Sequence, residues 1–135
     1  MDIKESLKYL NVNNVPLDEN KKNDLDNKGF TILSGIINTQ WLSKLREQFE
    51  DLCDKEGAGA GLEVHQELGT RRLADLVNKG EVFDGIYTNP ILLSAIYHVI
   101  GRDFKLSSLN SRDALPGEGH QGLHADWGKD YDGRF

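Results

Sequence analysis

His124 and Asp126 stand two residues apart in the segment GHQGLHADWG, a spacing that can do chemistry. Side chains two apart on a β-strand point to the same face, so an imidazole nitrogen and a carboxylate oxygen can reach one ion. Joined by a second, distant imidazole, they make the 2-His-1-carboxylate set that holds non-haem Fe(II) and leaves coordination positions open. By itself the triplet is a weak signal, since an exposed His and Asp on a loop give the same spacing by chance in many proteins. The segment HQE puts His65 and Glu67 at the same spacing but without strand alternation on either side, and reads as exposed polar residues.

The elements that must position the motif can be read from the preceding chain. DFKLSSLNSRDAL alternates and lacks strong helix formers, and Pro116 and Gly117 supply a turn after it. Gly117, Gly119 and Gly122 then allow sharp turns into the metal strand. Further back the pattern is helical. Ile3, Leu7 and Leu10 recur at helical spacing, and Asp18 to Asn27 suits a helix closed by Gly29, followed by a strand-like FTIL at 30–33. Asn38 or Thr39 caps a helix whose Trp41, Leu42, Leu45, Phe49 and Leu52 share one face. GAGAG at 57–61 follows a helix and lacks the Lys-Ser/Thr of a phosphate loop, so it reads as a connector. Residues 71–78 suggest a short helix. In NPILLSAIYHVIG, Asn89 is the cap, Pro90 the first helical residue and Gly101 the terminator of a mostly buried helix.

With 135 residues, 38% of them hydrophobic and 28% charged, the chain reads as one soluble domain or a piece of a larger one. A formal net charge of −6 argues against a nucleic-acid groove or an anionic membrane surface, both of which need a Lys/Arg excess. Small molecules are the expected partners. The N-terminal MDIKESLK mixes both charge signs, and no stretch has the length of a membrane span. The single Cys53 can form no internal disulfide. Together these features suit the cytoplasm, with Cys53 a buried small hydrophobe.

Taken together, DNKGFTILSGIINTQWLSKLREQFEDL, NPILLSAIYHVIG and DFKLSSLNSRDALPGEGHQGLHADW resemble the phytanoyl-CoA dioxygenase family of Fe(II)- and 2-oxoglutarate-dependent oxygenases. The likeness runs from about Asp26 to Asp126 and is weaker around 54–70. It rests on the KGF segment with its following helix, the NP helix ending in IG, and a Gln three residues before the His of H-x-D.

The resemblance implies an α+β fold, with a helical buttress over residues 1–104 packed on the first strands, 105–135, of a double-stranded β-helix of jelly-roll or cupin type. It implies Fe(II) as cofactor, 2-oxoglutarate and dioxygen as cosubstrates, and hydroxylation of an unactivated C–H bond in a small organic substrate. His124 and Asp126 would be two iron ligands, Asn110 and Gln121 cosubstrate contacts, and Arg112 and Trp127 substrate contacts. The family's distal His and its 2-oxoglutarate-binding Arg belong to a second half not contained in these 135 residues, and His65, His98 and His120 are poor replacements. The expectation is therefore a truncated domain, inactive alone and prone to self-association through unpaired strand edges. Two other readings stand beside it: a non-catalytic helical interaction or regulatory fragment, and a degenerate metal-binding module.

Overall fold

The computed structural model describes residues 2–124. Its helices begin and end where short polar and glycine residues dictate. Helix α1 (Ile3–Tyr9) opens on a capping box in which the Asp2 carboxylate accepts from the Glu5 N–H while the Glu5 side chain accepts from the Asp2 N–H. Asp18 accepts from the Asn20 N–H to start α2 (Glu19–Lys28), and Gly29, at φ 76°, closes it in the left-handed conformation. Asn38 caps α3 (Thr39–Glu56) by accepting from the Trp41 N–H. After the single-turn α4 (Asp84–Tyr87), Asn89 accepts from Ile91 and Leu92, Pro90 opens α5 (Pro90–Ile100) and Gly101 closes it.

Among the described residues, two strands complete the α+β architecture. Strand β1 (Thr70–Leu73) pairs antiparallel with β2 (Ser111–Ala114), in the register Thr70↔Ala114 to Leu73↔Ser111. The expected helix over 71–78 is instead β1 followed by a 3-10 turn at Leu76–Asn78. Leu73, Leu76 and Val77 have helical spacing, but Asp75 between them takes φ 52°, a left-handed conformation that no α-helix accommodates. The expected strand at 30–33 has no ladder, since nothing among the described residues pairs with it, and Phe30 and Ile32 are exposed. Of the alternating 103–115 segment, Ser111–Ala114 forms the strand, with single backbone hydrogen bonds at Leu109 and Leu115 flanking it.

Two apolar clusters hold the elements together. Leu52 of α3, Leu73 of β1, Leu76 and Phe83 form one, with Leu45, Phe49 and Cys53 packed on it, so α3 is the helix that backs the sheet. Burial raises the Cys53 thiol pKa, as for an inert buried sulfur. Trp41 donates its ring N–H to the Val82 carbonyl at 2.8 Å, and its ring lies so close to Gly85 that a Cβ there would sit 2.7 Å from Cζ2. Leu7, Val12 and Leu93 form the second cluster, joining α1 to α5. Contrary to the mostly buried helix expected, α5 is amphipathic: Leu93 and Ala95 are buried while Val99 and Ile100 are exposed.

Leu73 has no exposed surface, and it links strand to helix. Leu73→Ala is expected to destabilise the fold by about 2–5 kcal/mol. The exposed Leu123→Ala is expected to change stability by at most about 0.5 kcal/mol. Urea denaturation followed by circular dichroism checks both, and equal effects would contradict this placement of the core.

Candidate metal centre

The two strands present different chemistry on their two faces. Side chains alternate along each strand, so Arg71, Leu73, Ser111 and Asp113 share the face toward α3, and Thr70, Arg72, Arg112 and Ala114 the other. On the first face, Arg71 bridges Glu50 of α3 and Asp113 of β2, both at 2.6 Å, and covers the Phe49 ring at 4.9 Å. These bonds to Glu50 and Asp113 raise the Arg71 pKa, so it stays charged.

The opposite face brings two cations together. The Leu115 N–H donates to the Gly69 carbonyl at 3.0 Å, so positions 69 and 115 form a hydrogen-bonded pair. Arg72 and Arg112 then occupy a non-hydrogen-bonded pair, where facing side chains come closest, and like charges there repel. Glu67 lies between them. Arg112 donates Nε to Oε2 and Nη2 to Oε1, each at 2.8 Å, and Arg72 donates Nη1 to Oε2 at 3.1 Å. The Arg112 hydrogen bonds, with those of Arg72 and against desolvation, hold the Glu67 pKa at about 2, below the ordinary 4.5. Arg72 Nη1 also lies 3.2 Å from His65 Nε2. A guanidinium can only donate, so His65 accepts there with its proton on Nδ1. The reading of HQE as exposed polar residues therefore fails at Glu67, whose side chain is only 20% exposed.

This cluster reaches the turn that precedes His124. Arg112 Nη2 also donates to the Gly119 carbonyl. Beside it the backbone of the 118–119 turn rests on the start of β1: a Cβ on Gly69 would fall 2.6 Å from Glu118 Cβ, and one on Gly119 would fall 2.7 Å from Thr70 Cγ2. Both glycines have positive φ, 73° and 66°, so only glycine fits either place. Five residues on, His124 is exposed, with Nδ1 2.8 Å from the Gly122 carbonyl. A carbonyl only accepts, so Nδ1 carries a proton and donates it to Gly122.

The other expected site residues divide. Asp126 and Trp127 lie outside the described residues. Gln121 is exposed, three residues before His124. Asn110 accepts from the Asp75 N–H at 3.1 Å and donates to Ser108 Oγ at 3.3 Å, supporting the left-handed turn at Asp75. It lines a cavity of about 430 Å³ with Asp75 and Leu109, and Arg112 is not part of that lining. His98 pairs with Asp26 at 2.8 Å. Among the described residues, no group of three or more His, Cys, Asp or Glu side chains is placed to hold an ion. Glu67 stands out in the sequence only through its ligand spacing to His65, and nothing marks Arg72 or Gly69; the available signal was the β-tolerant TRRL with an acid three residues before it.

The chain matches no family model, no curated protein and no solved structure at a significant level.

The depressed Glu67 pKa fixes the direction of one pH effect. A carboxylate held below its unfolded value contributes stability fully above the unfolded pKa and loses it as pH falls through the folded one. The Glu67 contribution is thus expected to be intact at neutral pH, to shrink below about 4.5 and to be gone below about 2. Acid titrations of wild type and Glu67→Gln check this: the two stability curves should converge across that window, and curves that stay parallel would rule it out.

Proposed function

We propose that this chain contributes the first metal-binding strand of an Fe(II)- and 2-oxoglutarate-dependent oxygenase, with His124 and Asp126 as two of the iron ligands. The observation that carries this reading is the Nδ1–H of His124 donating to the Gly122 carbonyl, the kind of backbone hydrogen bond that metal-ligating imidazoles make through their other ring nitrogen. The donor types also suit the ion: one imidazole and one carboxylate on alternate residues, beside exposed amide chemistry at Gln121. In this reading the fold is completed as a double-stranded β-helix, and the small sheet of β1 and β2 is its beginning.

When bound, Fe(II) with 2-oxoglutarate and dioxygen supplies the oxidising power to hydroxylate an unactivated C–H bond in a small organic substrate. The protein's own residues orient and exclude water. Gly122 holds the His124 ring, and the exposed Gln121 amide offers a hydrogen bond to the cosubstrate. In this reading the third iron ligand is a further imidazole, and neither His65 nor His98 supplies it, since they already face Arg72 and Asp26.

Anaerobic addition of Fe(II) and then 2-oxoglutarate to the full-length gene product is expected to produce a visible charge-transfer band that His124→Ala abolishes. No band, or a band that survives His124→Ala, rejects the iron assignment and favours a non-catalytic interaction module.

A further inference from the structure

Resting on the metal reading above, we propose that Glu67 and Arg112 are positioning residues, a latch that seats the Glu118–Gly119 turn on the sheet and so sets where the chain leaves toward the His124 imidazole for metal binding. The latch has three joined parts. Glu67 takes both Nε and Nη2 of Arg112 at 2.8 Å, a bidentate pair that fixes the guanidinium plane as well as its position. The same Nη2 donates to the Gly119 carbonyl, tying the turn to that plane. Close backbone contact between Gly69 and the Glu118–Gly119 pair then leaves the turn one seat on the sheet.

The surroundings make Glu67 the decisive member. Arg72 faces Arg112 across the strands, and Glu67 is the carboxylate that serves both. Arg72 Nε is buried without a hydrogen-bond partner among the described residues, so Arg72 cannot compensate for a lost Glu67 by making a second ion pair there. Neutralising Glu67 leaves two guanidinium ions facing each other, and the response with the least backbone change is for Arg112 to swing away, releasing Gly119. The Glu118 N–H also donates to the Leu115 carbonyl at 2.9 Å, but that bond lies before Gly119 and does not hold residues 119–124.

Two measurements on the full chain test the latch. Co(II) alone, followed by its ligand-field absorption, is the metal probe, with His124→Ala as the control for the site itself. Glu67→Gln is expected to weaken Co(II) binding about 10- to 100-fold, as loss of an outer hydrogen-bonding partner commonly does, and to alter the spectrum. A melting curve at neutral pH reports whether the variant is folded, and Arg112→Lys, which keeps the charge but loses the fork, replaces it if not. Wild-type affinity and spectrum in a folded variant would overturn the proposal. Hydrogen exchange without metal is the second measurement: amides of 118–124 should exchange faster in the variant while those of α3 and α5 do not change. If wild type takes up no Co(II), the iron reading fails on its own account. Exchange then decides whether the latch exists, unchanged rates at 118–124 disproving it.

Discussion

Two guanidinium ions that must share one carboxylate are the constraint around which this structure is arranged. Arg72 and Arg112 are brought opposite each other by the strand register, and without Glu67 that register would set like charges face to face. A one-residue slip would relieve the repulsion but would turn Leu73 out of the core. Core burial on one face and charge pairing on the other therefore specify the same alignment. On the α3 side, Arg71 repeats the arrangement in reverse, one cation between the two acids Glu50 and Asp113. The small sheet is thus clamped by ion pairs of opposite stoichiometry on its two faces.

Legibility in the sequence tracks the range of the interactions involved. The starts and stops of α2, α3 and α5 depend on residues within a turn of each helix end, and Asp18, Asn38, Asn89, Pro90, Gly29 and Gly101 are visible as such signals. Strand β1 depends on a partner 38 to 44 residues away, from Leu73 with Ser111 to Thr70 with Ala114. Its local pattern, with Leu73, Leu76 and Val77 at helical spacing, points to the wrong element. At 30–33 the sequence has strand character, but no partner for it lies among the described residues.

The candidate site shows the same division. His124 announces itself because a ligand type and its spacing to Asp126 are local properties. Glu67 does not, because its importance comes from two cations delivered by different strands, one of them 45 residues away. Arg112 stands out in the sequence from its place beside Asn110, yet it turns toward Glu67 and Gly119 while Asn110 supports Asp75. Alternation predicts a shared strand face; here Asn110 lies just before β2 begins, where the backbone is already leaving the ladder.

The long separation between β1 and β2 has a consequence for the order in which this chain acquires structure. Helical turns close over three or four residues, whereas the sheet must bring together ends separated by about forty, an entropic penalty that no local contact offsets in advance. During synthesis, α1 to α3 are already outside the ribosome when β1 emerges, but β1 waits through α4 and α5 for Ser111–Ala114. Throughout that interval β1 lacks its strand partner, and its charges Arg71 and Arg72 have only the earlier-made Glu50 and Glu67 as counter-ions. Such a strand is polar enough to stay hydrated, which keeps it from adhering to neighbouring chains before its own partner arrives.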